Sequence, residues 1–92
     1  GGLGILIKQL ATEWAKYGIR VNGIAPTFTR TPLVDSYLND PDFYNSLVAR
    51  IPMGRVCETS DLAGLAVFLA SDASSFITGQ NIFVDGGVTA SQ

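Results

Sequence analysis

Apolar residues recur at helical spacing through the first stretch of the chain, at Leu3, Leu6, Ile7, Leu10 and Trp14, with Lys8, Gln9, Thr12, Glu13 and Lys16 on the other face. This pattern predicts an amphipathic helix over residues 3–17, closed by Gly18 in the left-handed position just past a helix C-terminus. Residues 19–25 are too few and too rich in β-branched side chains for another helix, and read as a buried parallel strand. Helix, tight turn and strand make the return leg of a βαβ unit, so an earlier strand is expected ahead of Gly1.

Beyond Pro26 the periodicity turns irregular. Two short helices are predicted, over 32–38 and 41–50, each opening on a proline at a first-turn position. Asp40 suits the N-cap of the second, and Phe43, Leu47 and Val48 give it a narrow apolar edge. Two small helices on an excursion of this length, about 27–51, read as a lid over a binding crevice. After the connector Ile51-Pro52-Met53-Gly54-Arg55, Glu58 or Thr59 can cap a helix over 60–70. Leu62, Ala63, Leu65, Ala66, Val67, Phe68, Leu69 and Ala70 make it apolar almost all round, which predicts burial on both sides, by the sheet and by a partner subunit. Residues 71–75 break that helix, Thr78-Gly79 supplies a turn, and 80–84 form a last strand before Asp85-Gly86-Gly87. The order is that of an α/β fold: helix, strand, lid helices, helix, strand.

Composition narrows the setting. Of the 92 residues 47% are hydrophobic and 15% charged, against roughly a quarter charged in an average soluble domain. A chain this short buries only roughly 60–65% of its unfolded surface, so this core-rich composition outruns its own cover. An oligomer, or a segment of a larger domain, is expected. The net charge of −2 comes from six basic and eight acidic residues, and with no cluster of cations to neutralise successive phosphates, nucleic acid is not an expected partner. One cysteine, Cys57, permits no internal disulfide, and with no histidine the usual zinc sites are also missing, so no metal site is predicted. Cys57 reads as a buried, inert thiol in a reducing, cytoplasmic protein. The longest apolar run, 62–70, is about half the ~20 residues that span a bilayer, and no membrane association is expected.

The chemistry concentrates where the first strand stops at Pro26 and enters the hydroxyl-rich loop Thr27-Phe28-Thr29-Arg30-Thr31. Ligands of open α/β sheets sit outside the carboxyl ends of the strands, so this loop points at a binding crevice. The pieces Gly18-Ile19-Arg20-Val21-Asn22-Gly23-Ile24-Ala25-Pro26, Ile51-Pro52-Met53-Gly54-Arg55, Phe68-Leu69-Ala70-Ser71-Asp72, Ile77-Thr78-Gly79-Gln80 and Val84-Asp85-Gly86-Gly87 occur in order. Together they closely resemble the C-terminal half of the short-chain dehydrogenases/reductases. The resemblance covers essentially the whole chain and implies that residues 1–92 are the C-terminal segment of a single Rossmann-type domain, a doubly wound parallel sheet.

The family's chemistry, hydride transfer between the nicotinamide of NAD or NADP and a small-molecule alcohol or ketone, is what the resemblance implies for function. It places the general acid/base tyrosine and its lysine at the start of the helix that opens this chain, the lysine directly before Gly1. Tyr-x-x-x-Lys and Gly-x-Gly-x-x-Gly do not occur within the chain, so no catalytic residue is assigned to it. The family's Pro-Gly-x-x-x-Thr cofactor loop maps onto Pro26, Thr27, Thr29 and Thr31, with the Thr31 hydroxyl reaching the carboxamide or pyrophosphate. Thr31 has an equally simple reading as the N-cap of the following helix. Thr27 stands where the family has glycine, and a backbone of positive φ there would strain it.

Phe28, Leu33, Val34, Tyr37 and Leu38 are candidates to line the substrate side of the lid, or merely to pack the lid itself. Asn22, Arg55 and Asp85 read as structural: a buried amide needing partners, a salt bridge, and a chain-reversing turn. The family's subunit interfaces imply a homotetramer. Sugar-acid dehydrogenases of the gluconate type and polyol dehydrogenases lie nearest, with 3-oxoacyl-carrier-protein reductases as the rival. A non-catalytic Rossmann remnant kept for its oligomer faces is the alternative, and family members acting as epimerases or lyases are a third.

Overall fold

The computed structural model describes residues 2–92. Helix α1 (Gly2–Trp14) tightens into a 3₁₀ turn, Ala15–Tyr17, and ends at Gly18, whose φ of 74° is the left-handed cap conformation. Strand β1 (Gly23–Pro26) follows, then α2 (Pro32–Leu38), α3 (Pro41–Val48) and α4 (Thr59–Ala70), a 3₁₀ turn at Asp72–Ser74, and strand β2 (Asn81–Val84). The two strands pair in parallel, Gly23 opposite Asn81 and Pro26 opposite Val84. Parallel strands joined through a helix are the unit of an open α/β sheet, and the expected order of elements is the one found.

The first strand begins later than the pattern predicts, at Gly23 instead of residue 19, for a definite reason. At 21–22 side chains take over part of the ladder: the Val21 N–H donates to Thr78 Oγ1 at 3.0 Å, and the Gln80 N–H donates to Asn22 Oδ1 at 3.1 Å, while the Val21 carbonyl still accepts from the Gly79 N–H at 2.8 Å. Asn22 Nδ2 donates in turn to the Ile77 carbonyl at 3.0 Å. Asn22 is therefore the structural amide its position implies. The second short helix stops at Val48, two residues early, and the 3–17 helix ends its α-helical part at Trp14.

Burial departs further from expectation. Ile7 and Ala11 of α1 are buried under the sheet, but Leu3, Leu6 and Trp14 of the same stripe are exposed. No residue of α4 is buried by this chain's own elements, so the cover expected from the sheet on one of its sides is incomplete here, and β1 is only half-buried. Phe76 and Phe83 also stand out from the surface. Two strands and their helices, extended over 51 × 25 × 21 Å, provide no second layer against which these faces could close. The interior that does form lies under the excursion, where Leu38, Leu47 and Val56 pack with Val34, Tyr44 and Val48. Cys57 is buried beside them, as predicted, and its Sγ donates to the Glu58 carbonyl.

Candidate cofactor and substrate site

Both strands run toward the same end, so the segment after Pro26 and the turn after Val84 lie side by side; the Thr27 N–H reaches the Val84 carbonyl at 3.4 Å. Pro26, the last residue of β1, has no N–H to donate, and the pairing with β2 closes one bond beyond it at Thr27. The chain then crosses to the connector before α4, where Thr29 bridges Cys57: the Cys57 N–H donates to Phe28 O and the Arg30 N–H to Cys57 O, each at 2.8 Å. Thr29 Oγ1 donates to Thr27 O at 2.9 Å. No non-glycine residue described has positive φ, so Thr27 sits in place of the family glycine without the strain that such a backbone would impose.

Arg30 fixes this loop a second time. Its Nε donates to Glu58 and its Nη1 to Asp35, both at 3.1 Å, tying the loop to α4's N-terminus and to α2. Sequence reasoning passed over this clamp, since Arg30 and Glu58 meet only through the fold. Pinned this way, the loop leaves three amides, those of Phe28, Thr29 and Thr31, without an acceptor among the described residues. The Thr31 hydroxyl also makes no capping bond to α2, although Thr31 occupies the N-cap position. Of the two readings of Thr31, the N-cap one is not realised. These donors all lie on the loop that follows the carboxyl end of β1.

Two hollows flank the loop. One, of about 220 Å³, lies between Thr27, Val84 and Gly86 on one side and Met53, Arg55 and Cys57 on the other. The second, of about 100 Å³, is enclosed by Phe28 and Thr29, by Val34 and Leu38 of α2, by Phe43 and Leu47 of α3, and by Val56. Of the five residues predicted to face a substrate, the structure brings Phe28, Val34 and Leu38 together at this second hollow. Leu33 and Tyr37 are exposed elsewhere on α2, and the Tyr37 ring is tilted against Phe43 at 6.3 Å.

Charged groups around the loop are paired. Arg55 donates to both carboxylate oxygens of Asp61, at 2.8 and 3.1 Å, which is the salt bridge read for it. Asp61 also accepts the Glu58 N–H at 2.8 Å and so caps α4, leaving the Glu58 carboxylate for Arg30. The Arg55 guanidinium first, and that N–H second, pull the Asp61 carboxyl down to about 2. Since its folded value lies below its unfolded one, the stabilisation is complete above the ordinary carboxylate range and is lost as pH falls through about 2. In an NMR titration Asp61 should remain ionised while unpaired carboxylates protonate, and Arg55→Ala should move its midpoint upward. After β2, Asp85 accepts from the N–H groups of Gly87 and Thr89 and from the Thr89 hydroxyl, which holds its own carboxyl below the ordinary value. This is a turn that reverses the chain.

A parallel α/β unit with a pinned loop at its strand ends has the layout of part of a Rossmann-type sheet. Sequence comparison makes the assignment finer. A family model described as enoyl-(acyl carrier protein) reductase matches residues 1–89. A tropinone reductase homolog of Arabidopsis thaliana is 53% identical over 89 residues, covering 97% of this chain and 29% of that protein. Gluconate 5-dehydrogenase of Gluconobacter oxydans is 42% identical over 91 residues, covering 99% and 36%. The crystal structure of a gluconate 5-dehydrogenase from Burkholderia cenocepacia, in complex with NADP and tartrate, superposes with a TM-score of 0.85 at 43% identity, over 96% of this chain and 34% of that one. The chain belongs to the short-chain dehydrogenase/reductase family. It spans about a third of the length of these relatives.

Proposed function

We propose that this chain supplies the nicotinamide-side loop and the substrate lid of an NAD(P)-dependent oxidoreductase acting on a small alcohol or ketone. The observation that carries the reading is the loop 27–31: rigidly pinned by Arg30 and Cys57, with three free amides and an unspent Thr31 hydroxyl at the carboxyl end of β1. A carboxamide needs this mixture of donors and a hydroxyl that can also accept. When bound, the nicotinamide supplies the hydride or takes it up. Pro26 ends the strand so that the loop can turn toward the ring. Thr27 and Thr29 contribute backbone, and Thr31 contributes its amide and hydroxyl. Phe28, Leu33, Val34, Tyr37 and Leu38 form the lid surface. The acid/base chemistry falls to a tyrosine, lysine and serine outside residues 1–92, so the chain alone is inactive in this reading.

The uncovered apolar faces of α1 and α4 fit the same proposal. They are surfaces for the N-terminal part of the domain and for further copies in a homotetramer, in a cytoplasmic enzyme. Among the described residues no helix is long and apolar enough to cross a membrane. Sugar acids, polyols and 3-oxoacyl thioesters are the substrate types that the resemblance brings. Those same apolar faces also favour the second reading, a non-catalytic oligomerisation module.

Nicotinamide binding by the product of the complete reading frame separates the two. Thr31→Val is expected to raise the Kd for NADH or NADPH about tenfold, the equivalent of one hydrogen bond of about 1.4 kcal/mol. Folding stability should stay within about 0.5 kcal/mol, because the hydroxyl caps nothing. An unchanged Kd removes Thr31 from the cofactor site, and no binding by the unmodified protein favours the module.

A further inference from the structure

We propose that Arg30 is a positioning residue that joins the cofactor loop to the lid. Bonded to Asp35 of α2 and to Glu58 at the start of α4, its side chain is the strut that sets the angle of α2, and contacts made to the loop by a nicotinamide pass to the lid through it. This rests on the oxidoreductase reading above. The backbone shows where a strut is needed. The Arg30 N–H is anchored on Cys57 O at 2.8 Å, and the Thr31 carbonyl already belongs to α2, accepting from the N–H groups of Val34 and Asp35 at 3.1 and 3.0 Å. Between those anchors lie only the torsions of Arg30 and Thr31. Thr31 is extended, with φ −132° and ψ 161°, because Pro32 disfavours the helical alternative in the residue ahead of it. The lid helices can swing about this point.

Little else fixes their angle. Among the described residues, Arg30–Asp35 is the one side-chain hydrogen bond that leaves the 31–50 stretch; that of Asp40 stays inside it, on the Asp42 N–H. What remains is the apolar packing of Val34, Leu38 and Leu47 with Val56, and contact of that kind is non-directional. It holds the lid down without orienting it. The guanidinium is planar and its donors point in set directions, so one bond to each carboxylate relates α2 to α4 in angle as well as in distance. The unpaired Thr31 amide and hydroxyl lie on the same short span. A carboxamide held by them fixes the torsions that the strut bridges. All three side chains of the strut are partly exposed, so it can break and remake, and it shifts an equilibrium severalfold, not by orders of magnitude.

The test uses the product of the complete reading frame, with NADH and NADPH as probes. Fluorescence titration gives Kd for each, and hydrogen exchange read by mass spectrometry follows the loop and α2 with and without saturating nucleotide. In the unmodified protein the nucleotide is expected to slow exchange in α2 about fivefold, the scale of a partly exposed ion pair. Asp35→Ala should cut that factor to below about twofold, while the protection of the loop remains. Its nucleotide Kd should stay within about twofold, because α2 is docked before any ligand arrives and little docking is left for the ligand to supply. A pair that only held the fold together would, when broken, speed α2 exchange equally with and without nucleotide and leave the factor unchanged. Arg30→Met adds a second mark. It leaves two carboxylates that shared one guanidinium without a cation, so α2 should exchange faster than in the double variant Arg30→Met/Asp35→Ala, where that repulsion is gone. Full α2 protection in Asp35→Ala, a double variant no slower than Arg30→Met, or an unmodified protein whose loop is protected and whose α2 is not, overturns this inference while the oxidoreductase reading stands. Failure to bind either nucleotide takes down both.

Discussion

Replacing Arg20 by lysine is expected to destabilise the protein by about 2 kcal/mol although the charge is kept, and Arg20→Met by about 3–4 kcal/mol. The guanidinium donates through Nη1 to the carbonyl of Ser74 at 2.9 Å and to its hydroxyl at 2.9 Å, with Ile77 O at 3.4 Å, and through Nη2 to Ser71 O at 3.2 Å. One planar fork thus satisfies three carbonyls of the segment joining α4 to β2. Each of these carbonyls keeps a second, neutral donor, the Ile77 N–H on Ser74 O, the Ser74 N–H on Ser71 O and Asn22 Nδ2 on Ile77 O, so what lysine forfeits is the charged donor each of them shares, around a Ser74 buried to 1% exposure. An ammonium on a flexible stem can meet one or two of these acceptors but cannot span them. Each charged hydrogen bond lost is worth about 1.5–3 kcal/mol, partly recovered by the lysine, which sets its variant at the lower figure. Urea unfolding of both variants measures the difference, and hydrogen exchange should show the loss first at Gly79 and Gln80, whose amides bond to Val21 and Asn22. A loss below about 0.5 kcal/mol for Arg20→Met, the level of an ordinary surface substitution, would remove the arginine from its structural role.

The Arg20 network also shows where sequence reasoning reaches its limit. The helices at 32–38 and 59–70, the left-handed Gly18 and the parallel relation of the strands are local or near-local consequences of periodicity and turn chemistry, and all were legible. The late start of β1 was not, because Thr78 and Asn22 substitute for ladder bonds across more than fifty residues of chain. Likewise the loop 27–31 was legible as a crevice from Pro26 and its hydroxyls, whereas the clamp that makes it rigid, Arg30 on Asp35 and Glu58, exists only once α4 has been brought back. Burial was the least legible property. An all-round apolar helix such as α4 states that its faces need cover, but which part of a structure provides the cover is not written in the helix itself.

Gly23→Val is expected to cost about 2 kcal/mol and, in the complete enzyme under the proposed reading, to reduce kcat more than it weakens nicotinamide binding. Gly23 opens β1 opposite Asn81 of β2, with the Ile7 side chain of α1 against it. A Cβ placed there would stand 2.5 Å from Ile7 Cδ1 and 2.7 Å from Asn81 Oδ1. Ile7 is one of the two α1 residues buried against the sheet, so it can give way only by lifting the helix or leaving its rotamer. Valine has higher strand propensity than glycine and restricts the unfolded chain, a gain of up to about 1 kcal/mol. Overpacking of a close contact costs about 1–3 kcal/mol, and the second γ-carbon of valine puts the change at the upper end, so the steric term wins. The functional consequence comes through α1, since the resemblance sets the acid/base tyrosine and lysine at its N-terminal end. A helix lifted by a few tenths of an ångström misplaces that pair, whereas the loop 27–31 keeps its own anchors on Cys57, Asp35 and Glu58. Gly64→Ala in α4, where an added Cβ meets nothing within 4 Å, is the matched control and should stabilise by about 0.5–1 kcal/mol. Chemical unfolding of both variants, with kcat and nicotinamide Kd measured on the same samples, decides the matter. A stabilising Gly23→Val would mean that α1 does not rest on the sheet at this position.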